Sequence, residues 1–161
     1  MSDRKKWAFL ERAPEHDALD PGLQDVARSL WRASLCRPLV FAHLAHALAR
    51  DGIRYQTDTK RTGGEDIAGF TRRQSYPLEP LERGTDDCDA KARLFVALCR
   101  AVGLRARMVP RWDGETLRHV SAAVTIDGKE LAAETILARA KLGETAEQVP
   151  EEKGTHRWRY T

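Results

Sequence analysis

The chain has 161 residues, of which 42% are hydrophobic and 32% are charged, and its formal net charge is only +3. A chain of this length and composition can bury one compact core, so we expect a single domain over residues 1–161. The near balance of acidic and basic residues gives little reason to expect nucleic acid as a partner. No apolar run approaches the roughly 20 residues that cross a bilayer, so we expect no membrane partner.

The cysteine content and the N-terminal segment predict a cellular compartment. Cys36, Cys88 and Cys99 cannot all pair within one chain. The segment MSDRKKWAFLERAPEHD is charged and does not resemble a signal peptide. We therefore expect reduced thiols and a cytoplasmic location.

Two helices and a short strand are predicted in the first third of the chain. Residues 1–20 are polar, and we expect them to be loosely held. Asp20 followed by Pro21 is a helix start, and the segment RPLVFAHLAHALARDG predicts a second helix with Pro38 in its first turn. The strand IRYQT then leads into a long connection rich in glycine and proline, and connections of that length are more often functional than idle.

The best-patterned helix of the chain begins at Cys88. Its apolar stripe consists of Cys88, Ala92, Phe95, Cys99 and Val102. Thr85, Asp86 and Asp87 are all competent N-caps, which places Cys88 in the first helical turn. There the helix dipole favours the reactive thiolate, whereas the neighbouring aspartates raise the thiol pKa. A cationic partner is therefore needed.

Three antiparallel strands are predicted after this helix, over residues 104–111, 118–127 and 129–135, because the pattern changes there to period two. The dipeptide Asp127-Gly128 is a strong hairpin signal between the last two strands. The residues from about 143 to 161 are charged and weakly patterned, and we expect a loosely held tail.

The hairpin register brings a histidine close to a carboxylate. A two-residue turn at 127–128 pairs Ser121 with Glu134 and places His119 on the same sheet face, diagonal to Glu134. A cysteine at a helix start, a histidine on a strand and a carboxylate that orients the imidazole are the parts of a nucleophilic site. Ser121 and Ala123 are small, and we expect the Cys88 helix to dock on their face.

The other thiols and histidines have structural interpretations. Cys36 and Cys99 lie in apolar helix patterns and are interpreted as core residues. His43 and His46, at i and i+3, are assigned to a helix surface or to the core. No CxxC or HxxxH pair supports a zinc site, and we expect no metal and no other cofactor.

Two segments resemble the transglutaminase-like superfamily, which includes bacterial and phage-borne cysteine peptidases. The family pattern is G-x-G-D-C-D-D opening a helix, then a histidine beginning a strand, then an aspartate about fifteen residues later. GTDDCDAKARLFVALCRAVGLRAR matches the first part and HVSAAVTIDGKELAAET the second. The resemblance covers about residues 45–140. It implies a papain-like α+β fold, with a central helix starting at the cysteine, an antiparallel sheet and helices on the N-terminal side.

The resemblance also implies roles for individual residues. Cys88 is the nucleophile, His119 the general base and acid, and Glu134 the residue that orients His119. The Cys88 backbone N–H contributes to an oxyanion hole, and Gln74 in the long connection is a candidate second donor. The implied chemistry is acyl transfer from protein or peptide amides through a thioester, with hydrolysis favoured over cross-linking.

Departures from the family pattern leave other functions open. Asp86 replaces a glycine, Ala90 replaces an aspartate, and Glu134 replaces the usual aspartate. One alternative is a catalytically inert member that binds a protein or peptide. Another is a nucleic-acid binder, although alternating strand arginines more often form a solvated face. Its candidate contacts are Arg72, Arg73, Arg105, Arg107 and the HRWRY end.

Overall fold

The computed structural model describes residues 2–55, 77–78, 80 and 85–149. Within these ranges five helices and five strands follow one another along the chain. They are α1 (Asp3–Leu10), α2 (Ala13–Asp17), α3 (Pro21–Ala33), α4 (Pro38–Asp51), β1 (Arg54–Tyr55), β2 (Thr85–Asp86), α5 (Cys88–Ala101), β3 (Ala106–Asp113), β4 (Thr116–Ile126) and β5 (Lys129–Ala133).

Helix α5 is the centre of the fold. Every residue from Asp89 to Cys99 is buried, and a helix that is buried on all sides needs neighbours on all sides. Helices α2, α3 and α4 and strands β3 and β4 all pack against it. The predicted α+β class, with a central helix that begins at Cys88 and packs on an antiparallel sheet, is confirmed.

Two cationic side chains of α5 are buried, and each has a defined partner. Arg93 Nε and Nη2 donate to the two carboxylate oxygens of Asp17, and this ion pair connects α2 to α5. Lys91 Nζ donates to the backbone carbonyls of Arg50 and Ile53, at 2.9 and 2.5 Å. Burial lowers the pKa of Lys91 to about 8. The Lys91 hydrogen bonds hold the end of α4, from which the chain enters β1, against the helix that carries Cys88.

The described strands form two sheets, one of two strands and one of three. Strand β1 pairs in parallel with β2, which ends two residues before Cys88. Strands β3, β4 and β5 form an antiparallel sheet in that order. Asp127 and Gly128 both have positive φ, 50° and 76°, as a two-residue hairpin turn requires. The ladder pairs Ile126 with Lys129, so the predicted hairpin register is confirmed.

The sheet face on which α5 docks differs from the prediction. Val120, Ala122 and Val124 belong to the core together with α5, whereas Ser121 and Ala123 line a cavity of about 400 Å³ on the opposite face. The expectation that the helix docks on the small residues is wrong. The valine face removes more apolar area from water when it packs against the helix, and that area decides the orientation.

The start of the chain also differs from the expected loose segment, because it forms α1 and α2. Leu10 is fully buried in the core. The backbone N–H of Leu117 donates to Asp3 Oδ2 at 2.8 Å, and the Arg4 guanidinium lies 4.6 Å from the ring centroid of Trp112. Helix α1 thus docks at the end of the sheet where β4 begins.

Part of the C-terminal segment is also attached to the sheet. The backbone N–H of Gly143 donates to the carbonyl of Ala132 at 2.7 Å, and Arg111 forms an ion pair with Glu147. Residues 144–147 line the cavity over the outer sheet face. None of the described helices is long and apolar enough to cross a membrane.

Candidate active site

A histidine and a glutamate form a buried pair at one end of the sheet. Strand β4 carries His119, and Glu134 follows the last residue of β5. His119 is 4% exposed and Glu134 is 2% exposed. The imidazole Nε2 donates to Glu134 Oε2 at 2.7 Å. The structure therefore brings together the two residues that the hairpin register places diagonally.

Both carboxylate oxygens and the backbone of Glu134 are held. Oε1 accepts a hydrogen bond from the backbone N–H of Ile136 at 3.1 Å. The carbonyl of Glu134 accepts a hydrogen bond from His46 Nε2 at 2.7 Å, and the His46 ring packs edge-on against Phe95. These hydrogen bonds hold both the backbone and the carboxylate of Glu134 in place beside His119.

Cys88 is the first residue of α5, the helix that packs against the strand that carries His119. Asp87 is the N-cap, and its carboxylate accepts the backbone N–H of Ala90 at 3.2 Å. The half-buried thiol of Cys88 is hydrogen-bonded to the backbone of Val120, the residue that follows His119. The start of α5 is thereby anchored on β4 one residue from the imidazole.

The surroundings of Cys88 disfavour its thiolate. Burial, followed by the charges of Asp87 and Asp89, raises the pKa of the thiol well above its ordinary value. The Val120 hydrogen bond and the charge of Lys6 partly offset this effect. These surroundings favour the protonated thiol over the thiolate, so the reactivity of Cys88 requires a base.

Residues 37–133 match the family model of the transglutaminase-like superfamily. The chain belongs to this superfamily. The matched segment contains Cys88 and His119 and ends one residue before Glu134, so the geometry alone connects the glutamate to the site. No curated protein matches the chain at a significant level. The transglutaminase-like superfamily includes cysteine enzymes, and the predicted family resemblance is confirmed.

Two residues of this transglutaminase-like site were not identified from the sequence. The sequence places His46 on a helix surface or in the core; it is buried, and its contact with the backbone of Glu134 is not predicted. Lys6 lies in a segment that was expected to be loose, yet its Nζ is 3.0 Å from Asp89 Oδ2. A helical apolar pattern around His46 gave a partial signal for its burial, whereas no pattern in the sequence pointed to Lys6.

The predicted second oxyanion donor, Gln74, lies outside the described residues, so its role stays a prediction. Within the described ranges, no group of three or more His, Cys, Asp or Glu side chains is placed to hold a metal ion.

The three cysteines are expected to react with iodoacetamide at very different rates. Cys36, predicted as a core residue, is instead exposed, because it lies outside the helical pattern, in the turn between α3 and α4, where its φ is positive. Cys99 is buried, and burial raises the pKa of its thiol. In native protein at neutral pH we expect Cys36 to label first, Cys88 slowly and Cys99 last, with peptide mapping as the measurement.

The same experiment at several pH values separates burial from ionisation. Because the pKa of Cys88 is raised, its labelling rate should still be rising with pH above about 8.5, the ordinary thiol value. A Cys88 rate that is already at its plateau at pH 7 would contradict the described surroundings of the thiol.

The stability of the fold is expected to fall as the solution is acidified below about pH 6.5, in part through His46. Burial lowers the pKa of His46 from its ordinary value of 6.5. His46 therefore binds a proton at a higher pH in the unfolded chain than in the folded chain. The free energy of unfolding decreases as pH falls through this range. His46→Phe should flatten this part of the curve in urea titrations at pH 5–8, and an unchanged slope would exclude His46 as its source.

His46→Phe should also lower the free energy of unfolding at pH 8 by about 1–3 kcal/mol, because the buried carbonyl of Glu134 loses its donor. His43→Phe is the matched control, since His43 is exposed on the same helix.

Proposed function

We propose that the protein is a cysteine-dependent acyl-transfer enzyme that acts on protein or peptide amides. Cys88 is the nucleophile, His119 is the general base and acid, and Glu134 orients His119. The proposal is carried by the buried 2.7 Å hydrogen bond between His119 and Glu134, together with the hydrogen bond of the Cys88 thiol to the backbone of Val120, the residue after His119. Membership of the transglutaminase-like superfamily supports cysteine chemistry at this position.

The first step is attack by Cys88 on the amide carbonyl carbon. Glu134 accepts from His119 Nε2, so Nδ1 is the ring nitrogen that takes the proton from the thiol. Because the pKa of the thiol is raised, proton transfer accompanies the attack instead of preceding it. The carbon–sulfur bond forms, His119 then gives its proton to the leaving amine as the carbon–nitrogen bond breaks, and a thioester remains.

The start of α5 supplies stabilisation for the negative charge that develops on the carbonyl oxygen. The first N–H groups of a helix have no partner within the helix, and the helix dipole is positive there. The N–H of Cys88, the first residue of α5, is the proposed oxyanion donor. Gln74 is the proposed second donor.

Water is the proposed acceptor in the second step. Water attacks the thioester carbonyl while His119 takes its proton, the carbon–sulfur bond breaks, and the proton returns to the Cys88 sulfur. Hydrolysis requires no second binding site, unlike transfer to the amine of another protein. We therefore propose a peptidase or amidase activity, with cross-linking as the other outcome of the same thioester.

A turnover assay tests this function. The protein is incubated with a panel of peptide amides and an activated acyl ester, with and without a fluorescent primary amine, and the products are measured by mass spectrometry. Hydrolysis predicts release of the free acid in both conditions. Exclusive formation of the amine conjugate would indicate a cross-linking enzyme, and absence of any product would contradict acyl transfer.

A second candidate function is a catalytically inert member that binds protein or peptide segments. The observation that favours it is the pair of aspartates, Asp87 and Asp89, which raise the pKa of the thiol that an enzyme would ionise. Peptide binding in calorimetry by a wild-type protein that gives no acyl product would support this candidate.

A further inference from the structure

Helix α1 lies outside the segment matched by the family model, yet it reaches the start of α5. Its first turn is attached to the beginning of β4 through Asp3 and the backbone N–H of Leu117, at 2.8 Å. Its second turn carries Lys6, whose Nζ lies 3.0 Å from Asp89 Oδ2. The helix therefore connects both elements that supply the nucleophile and the proposed base.

Asp89 carries a carboxylate that is buried and adjacent in sequence to the nucleophile. It immediately follows Cys88, and it is 1% exposed. A buried carboxylate without compensation is costly, and one next to a thiol opposes formation of the thiolate. The Lys6 side chain is one-quarter exposed, so its ammonium binds Asp89 while it keeps contact with solvent.

Among the residues that the structure describes, the other charged groups that affect Cys88 or belong to the packed elements act differently from Lys6. Asp87 adds a second negative charge and caps the helix through the N–H of Ala90. On α2, Asp17 is neutralised by Arg93 in the buried ion pair. On the β4 side the nearby titratable group is His119, which is hydrogen-bonded to Glu134.

We propose that Lys6 is a positioning residue of the active site, which neutralises Asp89 so that negative charge can develop on the Cys88 sulfur. Helix α1 thereby becomes part of the site, although it lies outside the family segment. The use of this charge in catalysis rests on the proposed function, whereas its effect on the thiol does not. In agreement with this geometry, the charge of Lys6 lowers the pKa of Cys88, against the aspartates.

The test is the pH dependence of Cys88 alkylation by iodoacetamide in the full chain, quantified on the Cys88 peptide. Lys6→Met should shift the profile to higher pH and slow alkylation about threefold at a fixed pH below the midpoint. Lys6→Arg keeps the charge and should keep the wild-type profile. Lys5→Met, on the exposed side of the same helix, is the matched control and should also leave the profile unchanged.

Removal of Asp89 gives an independent measurement, including in the case that Lys6→Met does not fold. Asp89→Asn should shift the profile to lower pH. Lys6→Met should then slow alkylation less when it is added to Asp89→Asn than when it is added to the wild type. The proposal is overturned if Lys6→Met or Asp89→Asn leaves the profile in place, or if Lys6→Arg behaves like Lys6→Met. Alkylation needs no acyl substrate, so a wild type without acyl turnover would remove the proposed function while these shifts remain.

Discussion

Replacing Cys88 with alanine is expected to abolish acyl-transfer turnover while the free energy of unfolding changes by no more than about 1 kcal/mol. The thiol is the only proposed nucleophile, and a thioester requires a cysteine sulfur. The fold should persist because Cys88 is half-buried at the first position of α5, where alanine favours the helix and Asp87 still provides the cap.

The matched control for this variant is Cys36→Ser. Cys36 is the exposed cysteine outside the site, so its replacement removes a thiol without touching the proposed chemistry. Turnover should remain at the wild-type level in Cys36→Ser, and urea unfolding measures stability in both variants. Residual turnover in Cys88→Ala above the rate without enzyme would assign the activity to another group.

Glu134→Gln is expected to lower turnover by about 10³- to 10⁴-fold. Glu134 accepts two hydrogen bonds, one from His119 Nε2 and one from the backbone N–H of Ile136. A glutamine offers one acceptor oxygen and one donor NH₂ in the same place, so one of these N–H groups must face another donor. Either the imidazole takes the wrong tautomer or the side chain loses its anchor, and the charge that stabilises the imidazolium is lost in both cases.

Glu134→Asp distinguishes the effect of the negative charge from the effect of side-chain length. Aspartate keeps the charge but withdraws the carboxylate by about 1.5 Å. His46 holds the carbonyl of residue 134, which limits how far the backbone can follow. Turnover should therefore lie between that of the wild type and that of Glu134→Gln. Wild-type turnover in both variants, together with its loss in Asp87→Asn, would transfer the orienting role to the start of α5.

The sequence predicted the parts of the site that depend on local rules. The Asp127-Gly128 turn fixes the pairing of β4 with β5, and the side-chain period of two then fixes which residues share a face. An aspartate before an apolar helix predicts a cap, and Asp87 has this role at the start of α5. The turn and the side-chain period are sufficient to place His119 close to Glu134 from the amino-acid sequence alone, and the cap places Cys88 at the start of α5.

Other parts of the site depend on packing between distant segments. His46 and Glu134 are 88 residues apart, and Asp3 and Leu117 are 114 apart, so no local pattern connects them. Lys91 and Arg93 interrupt the apolar character of α5, and their burial depends on partners at and just after the end of α4 and in α2. The docking face of the sheet was mispredicted because both faces carry residues that a helix can cover, and only the total buried area distinguishes them.

The central claim is that Cys88 forms a thioester, and trapping that intermediate tests it most directly. Wild-type protein is mixed with an activated acyl ester, quenched in acid within seconds, and measured by intact mass spectrometry before and after treatment with hydroxylamine. The account predicts a mass increase of one acyl group, located on Cys88 by peptide mapping, removed by hydroxylamine and missing in Cys88→Ala. A wild-type protein that remains unmodified, or that carries the acyl group only on Cys36, would contradict it.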